Sequence, residues 1–388
     1  MPQNKSWNWQ HPNWPNFTWK AERLTRAEAL FAEAAGIVIG TTQHLDEAAQ
    51  EALMIDIMRD EACDTSEIEG EILDRDSVQS SIRRQLGLKT DRRAGPMEAG
   101  IAEMMVDLYR NLTTPFSEKN LYSWHAMVMN GRRDLADIGR YRQHEELMQI
   151  VSGPNYRRRV HYEAPPSAQV PAEMARLLTW LRKTASGGPG SIEVPLPPLT
   201  RAGIAHLWFE SIHPFEDGNG RIGRAIVEKA LAQGLSRPAL TGVSGTFLKR
   251  RKDYYQALEN ASGTLDATDW LLWFAAAAIE AARRTEAHIA FILDKARLLA
   301  SLGGKLNARQ EKALLRLFEA GQEGFIGGLS ARNYRTITGA TPATTTRDLV
   351  DLVTLGALTR TGERKGARYH LAVPLHPVEH LGIEEIAP

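Results

Sequence analysis

The chain has 388 residues, and its 47 lysines and arginines balance its 47 aspartates and glutamates. This neutrality provides no overall field that would attract nucleic acid or an anionic membrane. A single cysteine, Cys63, excludes an intramolecular disulfide and is typical of a reducing cytoplasm. Residues 1–17 contain no apolar stretch of signal-peptide length, and the longest apolar run, residues 270–279, is too short to span a bilayer. We therefore expect a cytoplasmic protein with no membrane partner and with enough residues for roughly two or three domains.

The first predicted domain, residues 1–95, opens with an aromatic segment and continues with helices. Prolines and asparagines favour extended backbone in this segment. Its aromatic side chains need burial, and they are Trp7, Trp9, Trp14, Phe17 and Trp19. We expect these rings to pack on the protein itself, which we favour over a ligand-binding cage. Apolar periodicity predicts helices over residues 27–37 and 45–69.

The second predicted domain, residues 96–290, is mostly helical. Apolar residues recur at helical spacing, which predicts helices over residues 97–112, 118–129, 171–185, 205–212, 221–233 and 267–291. Helix 205–212 should end before Pro214, because the residue before a proline avoids helical geometry. A short glycine-rich loop therefore joins this helix to the next one.

That loop and the start of the next helix, residues 213–224 (HPFEDGNGRIGR), concentrate groups that suit phosphate chemistry. The side chain of His213 can accept a proton near neutral pH, as a general base must. Asp217 offers the carboxylate oxygen that Mg²⁺ prefers, with phosphates and water completing the ligand shell. A histidine or a glycine-rich loop alone is more often structural, but their occurrence together favours a functional site.

The second half of the segment predicts a phosphate cradle. Gly218, Asn219 and Gly220 let backbone N–H groups approach an anion at the start of a helix, where the dipole is positive. Arg221 and Arg224 are three residues apart on the first turn, so they share one helix face and offer forked donors to phosphate oxygens. The segment therefore contains the parts to bind a nucleoside triphosphate with magnesium and to deprotonate an attacking hydroxyl.

Residues 213–224 resemble the signature of Fic-domain proteins, His-x-Phe-x-(Asp/Glu)-Gly-Asn-Gly-Arg-x-x-Arg, at every fixed position. The resemblance implies a mainly α-helical Fic fold and transfer of AMP from ATP to a Ser, Thr or Tyr hydroxyl of a target protein. It implies that His213 is the base, that Asp217 binds Mg²⁺ and that Phe215 anchors the loop. The implied nucleotide-binding residues are Gly218, Asn219, Gly220, Arg221, Ile222, Gly223 and Arg224.

An upstream motif, residues 65–70 (TSEIEG), resembles the inhibitory helix motif of the same family, Ser/Thr-x-x-x-Glu-Gly/Asn. The resemblance implies that Glu69 pairs with Arg224 and takes the place of the γ-phosphate, so that ATP binds unproductively or not at all. The spacing alone favours another interpretation, in which Glu67, Glu69 and Glu71 form a solvated acidic helix face.

Three segments between these motifs resemble the family's flap, a β-hairpin that pairs with the backbone of the target protein. They are residues 139–142, 148–153 and 160–166. A cluster of turn-forming residues at positions 152–155 agrees with a hairpin. We therefore expect the target protein to dock on residues 148–163, although a plain surface loop suits the same pattern.

Tyr254 and Tyr255 resemble the paired tyrosines that border the adenine pocket in the family, since aromatic rings suit a purine face. Core packing would explain them equally well. Some relatives carry an asparagine where this chain has Ser262, which leaves the nucleotide preference less secure than phosphate binding.

The third predicted domain, residues 300–388, has the element order of a winged helix. Periodicity and turn signals predict helices over residues 308–319, 330–338 and 344–355 and a two-stranded hairpin over residues 358–371. Basic side chains gather here, namely Arg335, Arg347, Arg360, Arg364, Lys365 and Arg368. DNA is therefore a candidate partner of residues 330–370, and a contact for dimerisation or for the target protein suits the domain equally well.

We therefore expect a Fic-type protein adenylyltransferase that uses Mg²⁺ and ATP and is inhibited by its own Glu69. Similar enzymes also remove AMP by hydrolysis, and the sequence does not separate the two directions. A DNA-binding regulator whose Fic core only senses a nucleotide is the alternative, against which the intact His213 and Asp217 argue. UTP, GTP or a phosphocholine-bearing nucleotide are alternative donors. Neither the target nor the oligomeric state follows from the sequence, although similar proteins with an upstream inhibitory helix often form homodimers.

Overall fold

The structure, a computed structural model, describes residues 6–90, 92–153, 158–185, 195–235, 240–319, 321, 325, 327–374 and 376–387. The chain forms two compact units. One comprises the residues up to Thr285 together with those from His380 onward, and the other comprises residues 286–379. The predicted domain boundaries near residues 95 and 300 stay predictions, since residues 1–95 and most of residues 96–290 share the first unit. None of the helices in the described part of the chain combines the length and apolar character that a membrane span requires.

The first unit is mainly α-helical, as predicted. Its described helices are α1 (Thr25–Gln43), α2 (Glu47–Ile68), α3 (Arg75–Gln85), α4 (Pro96–Arg110), α5 (Glu118–Val128), α6 (Val170–Lys183), α7 (Pro198–Ile212), α8 (Asn219–Leu235), α9 (Val243–Lys249), α10 (Arg251–Ala261), α11 (Thr268–Ser301), which runs on past residue 285, and α15 (Ile383–Ile386). Between α5 and α6, strands β1 (Gln149–Ser152) and β2 (Arg159–Glu163) pair as an antiparallel hairpin.

Local signals place the helices that surround the glycine-rich loop. α2 begins where the Asp46 carboxylate accepts the backbone N–H of Ala49 at 2.8 Å, and it ends before Gly70, whose φ of +89° suits glycine. α7 has Pro198 in its first turn and ends before His213. α8 starts at Asn219, so residues 213–218 form the whole connection between α7 and α8.

The core of the first unit is built around α7 and the apolar run of α11. Every residue from Trp270 to Ile279 is at most 8 % exposed, as expected for a core helix. α7 is buried along nearly its whole length. It approaches α11 most closely at Gly203. A Cβ at this position would overlap side chains of α11. This packing fixes the helix whose C-terminal end carries His213.

The N-terminal aromatic segment packs on the protein itself, as expected. Trp7 contacts Tyr162 of β2 edge-to-face, with 5.3 Å between the ring centroids. Trp14 contacts Trp208 of α7 in the same way at 6.2 Å. The segment therefore joins the base of the hairpin to the core helix.

Periodicity misses some elements of the first unit and misjudges one turn. It does not predict α3, because Ser77, Ser80 and Ser81 lie on the buried face where the pattern needs apolar residues. The short helices α9, α10 and α15 are also not predicted. The prediction of extended backbone is wrong for Asn8–Gln10, which form a 3₁₀ turn. The Gln10 side chain stabilises this turn by accepting the backbone N–H of Trp7 at 2.9 Å.

After the end of α11, the described part of the second unit has three helices followed by an antiparallel hairpin, which is the order expected for a winged helix. The helices are α12 (Ala308–Phe318), α13 (Ala331–Thr338) and α14 (Pro342–Thr354), and the strands are β3 (Leu358–Thr361) and β4 (Arg368–Leu371). One buried cluster includes Leu314, Tyr334, Leu349, Leu358 and Tyr369 and so draws on all five elements. The winged-helix assignment and DNA binding stay predictions.

We expect Asp348→Ala to destabilise the second unit and to raise the rate of its local unfolding. The carboxylate is buried and accepts hydrogen bonds from Arg309 Nε at 2.8 Å, the Tyr334 hydroxyl at 3.0 Å and Asn307 Nδ2 at 3.2 Å. A hydrogen bond to a charged group contributes about 1.5–3 kcal/mol, so amide exchange in α12–α14 should become about tenfold faster or more. Hydrogen–deuterium exchange with mass spectrometry measures this. Asp351→Ala, an exposed change on the same helix, is the control, and equal exchange in both variants would contradict the expectation.

Candidate active site

The connection between α7 and α8 is held by buried contacts. His213 adopts the left-handed backbone conformation (φ 49°, ψ 61°), and its N–H donates to the Phe209 carbonyl at 2.9 Å. Phe215 is completely buried and stacks on the His125 ring, with 4.2 Å between centroids. The side-chain amide of Asn219 accepts the Phe215 N–H at 2.9 Å and donates to the Phe215 carbonyl at 2.8 Å. These contacts fix the position from which the His213 ring projects.

Arg142 holds the same loop from the side of the hairpin. Its buried side chain donates from Nε to the His213 carbonyl at 2.9 Å and from Nη2 to the Pro165 carbonyl at 2.6 Å. Its backbone N–H donates to the Pro214 carbonyl at 3.0 Å. Burial lowers the pKa of Arg142 to about 10, which leaves it charged at neutral pH. Sequence reasoning places Arg142 in the flap motif but gives it no role, whereas the structure shows that it secures the backbone at His213.

A cavity of about 700 Å³ lies beside this loop, a volume that suits a small-molecule ligand. Six of the sequence-predicted site residues line it, namely Glu69, His213, Gly220, Arg224, Tyr254 and Tyr255. Its other walls come from the β1–β2 hairpin and from α10. The structure therefore brings together the residues that follow α2 and α7 with residues of α8 and α10, although they are far apart in the sequence.

The His213 side chain is only 13 % exposed, and this sets its charge. Burial, followed by the charge of Arg142, lowers the pKa of His213 to about 4. The ring is therefore neutral at pH 7 and has a nitrogen lone pair that can accept a proton. Glu210, one turn earlier, lies with Oε2 3.7 Å from His213 Nδ1, and burial raises the pKa of Glu210 to about 8. Sequence reasoning misses Glu210, because nothing in its local pattern distinguishes it from a surface glutamate.

The Glu69 carboxylate contacts the Arg224 guanidinium at the start of α8. Glu69 Oε1 lies 2.6 Å from Arg224 Nη2, and a Cβ at Gly220 would overlap the same carboxylate. Thr65 completes the arrangement, since Arg224 donates from Nε to its hydroxyl at 2.6 Å and from Nη2 to its carbonyl at 2.9 Å. Burial acts to lower the pKa of Arg224, but the Glu69 charge and hydrogen bond raise it overall. Glu69 therefore occupies the position where the helix N-terminus and Arg224 would hold an anion.

Asp217, the predicted metal ligand, is not among the residues that line the cavity, and both of its carboxylate oxygens are engaged. Oδ2 accepts from Arg132 Nη1 at 2.6 Å, and Oδ1 accepts the Gly218 N–H at 2.5 Å. Burial acts to raise the pKa of Asp217, but these hydrogen bonds and the charge of Arg221 hold it below its ordinary value. The group is therefore ionised at neutral pH. Arg132, which also pairs with Asp134 at 2.7 Å, is a second residue that sequence reasoning misses.

The remaining nucleotide-binding candidates differ in their surroundings. Arg221 is buried and pairs with Glu71. Ile222 is completely buried, and a Cβ at Gly223 would overlap a carboxylate of α7, so both residues pack in the protein interior. Tyr254 borders the cavity but is 1 % exposed, with its hydroxyl 2.8 Å from a core histidine nitrogen. Tyr255 is 39 % exposed and offers the more accessible ring.

The β1–β2 hairpin matches the segment predicted as the flap. Its register pairs Gln149 with Glu163 and Ser152 with Arg159, and an irregularity interrupts the pairing after Ile150. The predicted turn residues 154 and 155 lie outside the described residues. Ile150 and Val151 are each 40 % exposed and line the cavity, so the hairpin offers apolar contacts at the cavity mouth.

A helix N-terminus with two buried arginines, beside a neutral imidazole, is typical of a site for a phosphorylated ligand. Residues 115–231 match the Fic/DOC family, and residues 7–88 match a domain of unknown function, DUF4172. The chain is therefore a Fic-domain protein with a DUF4172 region before the Fic domain.

The chain is similar to two proteins of known structure and to one relative known by its sequence. A crystallised Fic family protein from Desulfovibrio desulfuricans is 25 % identical with a TM-score of 0.51, and the match covers 92 % of this chain and 98 % of that one. A Fic domain containing signaling protein from Bacteroides thetaiotaomicron is 17 % identical with a TM-score of 0.47, covering 68 % of this chain and 97 % of that one. A probable protein adenylyltransferase from Aquifex aeolicus is 30 % identical over 100 residues, so the match spans 26 % of each chain.

We expect Thr65→Val to destabilise the first unit, because the buried Arg224 loses its hydroxyl acceptor while the side-chain shape is kept. An unsatisfied buried donor costs about 1–3 kcal/mol. Ser66→Ala is the matched control, since the neighbouring Ser66 hydroxyl is buried and has no hydrogen-bond partner among the described residues. Urea unfolding followed by tryptophan fluorescence measures both changes. If the free energy of unfolding falls no more in Thr65→Val than in Ser66→Ala, the Thr65–Arg224 contact contributes little to stability.

Proposed function

We propose that this protein is an autoinhibited protein adenylyltransferase, which transfers AMP from Mg–ATP to a Ser, Thr or Tyr hydroxyl of a target protein. The observation that carries the proposal is the Glu69–Arg224 pair at the start of α8, inside the cavity that His213 also lines. A carboxylate held on a buried arginine at a helix N-terminus marks a position for a phosphate group. The name of the Aquifex aeolicus relative, a probable protein adenylyltransferase, supports the same activity.

The triphosphate would bind at the N-terminus of α8. Backbone N–H groups from Gly220 and Arg221 lie in the first turn, where they have no acceptor within the helix. The guanidinium of Arg224 would take a terminal phosphate once Glu69 has left. The cavity volume of about 700 Å³ accommodates a nucleoside beyond the phosphates, with the half-exposed Tyr255 ring as a surface for the base.

The chemical step needs a base for the target hydroxyl, and His213 supplies it. The ring is neutral at pH 7, so it can take the hydroxyl proton as the oxygen attacks the α-phosphorus. One oxygen–phosphorus bond forms and the bond to pyrophosphate breaks. The buried loop contacts at Phe215 and Arg142 hold the ring in place, which limits the loss of entropy on reaching the transition state.

Asp217 fits the requirements of a magnesium ligand. It is an ionised hard-oxygen donor, and no group of three or more metal-binding side chains occurs among the described residues. Such a site suits Mg²⁺, which one carboxylate holds together with phosphate oxygens and water. When bound, the cation supplies charge stabilisation to the leaving pyrophosphate. Arg132 donates to the same carboxylate oxygen, so the two cations would compete for it.

The target protein would dock on the β1–β2 hairpin. A two-stranded hairpin has free edges that can pair with an extended backbone segment, and residues 150–152, 159, 161 and 162 of this hairpin line the cavity that His213 also lines. The exposed side chains of Ile150, Val151 and Val160 would add apolar contacts. Backbone pairing would bring a hydroxyl of the target to the base.

A DNA-binding regulator is the second candidate, and the exposed arginines of the second unit favour it. They include Arg332, Arg335, Arg347, Arg360 and Arg364. Binding of random duplex DNA that weakens steeply with salt, together with no nucleotide transfer, would favour this candidate over the transferase.

We expect Glu69→Gly to raise self-labelling with labelled ATP and Mg²⁺ by about 5- to 150-fold, because a coupling between the carboxylate and the phosphate of 1–3 kcal/mol is removed. Glu67→Gly places the same glycine on an exposed position of the same helix turn and should leave the signal unchanged. Adding His213→Ala to Glu69→Gly should abolish labelling. An unchanged or lower signal for Glu69→Gly would remove the autoinhibition from this proposal.

We expect Arg132→Gln to tighten the binding of Mn²⁺, a spectroscopic substitute for Mg²⁺, by about fivefold. The variant releases a partly exposed ion pair of up to about 1 kcal/mol and frees Asp217 Oδ2. Electron paramagnetic resonance of free Mn²⁺ measures the affinity with and without ATP. Arg133→Gln, an exposed neighbour, is the control. Weaker Mn²⁺ binding in Arg132→Gln would mean that Arg132 supports the cation site instead of competing for it.

A further inference from the structure

Three exposed cations line the cavity, and the proposed chemical step uses none of them. They are Arg159 on the β1–β2 hairpin and Arg251 and Lys252 at the start of α10. The Arg159 side chain is 67 % exposed. Three acidic residues also line the cavity, namely Glu69, Glu210 and Glu259. Their side chains are at most 29 % exposed, so the charge that the cavity wall presents to solvent is mainly positive.

The three cations differ in the partners that compensate their charge. Arg159 Nη2 donates to Glu259 Oε1 at 2.7 Å. The Arg251 guanidinium lies over the Tyr255 ring, 5.8 Å from its centroid. Lys252 has no carboxylate partner among the described residues. Of the described carboxylates that line the cavity, only Glu259 pairs with one of these cations, which leaves positive charge in excess.

The two cations of α10 occupy positions that do not favour its helix. α10 begins with Arg251 and Lys252, and its N-cap residue, Arg250, makes no capping hydrogen bond with its side chain. Cations in the first turn face the positive end of the helix dipole, where acidic side chains are favourable. Asp253 is the acidic residue of that turn. Local preferences are often violated at functional sites, so these cations point to an anionic partner.

The triphosphate has its own arginines deeper in the site. The side chains of Arg221 and Arg224, at the start of α8, are only 5 % and 1 % exposed. Arg159 belongs instead to the hairpin that is proposed to pair with the target, where it lies opposite Ser152 in the register. The exposed cations therefore lie on the route by which the target approaches, and the anion that suits them is part of the target.

We propose that the target segment carries acidic side chains next to the hydroxyl that is modified, and that Arg159 and Lys252 bind them. This inference rests on the proposed function, because it names the class of segment that accepts AMP. Such a segment is extended, with aspartates or glutamates flanking a Ser, Thr or Tyr and with apolar residues that contact Ile150 and Val151. Backbone pairing alone does not distinguish sequences, so complementary charges would select the target.

The test uses the full-length Glu69→Gly protein with labelled ATP, Mg²⁺ and a bacterial lysate, and mass spectrometry locates the modified hydroxyls. We expect Asp and Glu to be enriched about twofold or more beside these hydroxyls. Lys252→Glu in the same background should slow labelling of acid-flanked sites by about two- to fivefold, the range of an exposed ion pair. Arg159→Gln should act in the same direction. Lys119→Glu, an exposed change of equal charge on α5 outside the cavity wall, is the matched control.

A second measurement separates contact with the target from contact with the nucleotide. Calorimetric titration of ATP into Glu69→Gly protein that also carries His213→Ala should give the same affinity with and without Lys252→Glu. Weaker ATP binding, together with labelling that falls equally at all sites, would assign Lys252 to the nucleotide and overturn the inference. Thermal unfolding of each variant verifies that it is folded.

The remaining outcomes keep this inference apart from the proposed function. Modified hydroxyls without flanking acidic residues, or labelling rates that Lys252→Glu and Lys119→Glu change equally, would overturn the inference and leave the transferase standing. Release of pyrophosphate without any modified lysate protein would do the same. No labelling of any protein and no release of pyrophosphate would overturn the proposed function together with this inference.

Discussion

The buried guanidinium of Arg224 is the group on which the arrangement of the site depends. It is 1 % exposed, and its charge needs partners in the protein interior. In the structure those partners are Thr65 of α2 and Glu69, the residue that follows α2. These two residues therefore stabilise the Arg224 guanidinium, as a phosphate group would in the proposed nucleotide-bound state. Under the proposed function, the phosphate position is closed while Glu69 pairs with Arg224, and the carboxylate must leave before a ligand can bind there.

The region that matches a domain of unknown function acquires a physical role from these contacts. It contributes α2, and with it both partners of Arg224. Its aromatic start also packs on the hairpin, where Trp7 contacts Tyr162 and the Trp9 indole N–H donates to the Glu163 carbonyl at 2.7 Å. The region thus contacts the two elements proposed to control access of nucleotide and of target. Because this region contacts the Fic domain at these points, both lie in one compact unit of the structure.

Sequence reasoning predicted the parts of the site that lie in one short stretch. Residues 213–224 contain the histidine, the carboxylate, the glycines and the arginines in one contiguous motif, which can be recognised from the sequence. The pairing of Glu69 with Arg224 was implied by the resemblance to the inhibitory motif of the Fic family. The partners that the fold brings from elsewhere were not predicted, namely Arg132 on Asp217, Thr65 on Arg224 and Arg142 on the loop backbone. Periodicity likewise failed at α3, where serines occupy the buried face. Contacts between distant segments depend on packing, which a local pattern does not contain.

The central claim is that the Glu69 carboxylate and a terminal phosphate compete for Arg224. Calorimetric titration of ATP and of AMP into His213→Ala, with and without Glu69→Gly, tests it without turnover. If the claim is right, loss of Glu69 tightens ATP binding by about 5- to 150-fold, the range of a coupling of 1–3 kcal/mol, and leaves AMP binding nearly unchanged. Equal tightening of both nucleotides, or no change for ATP, would contradict it.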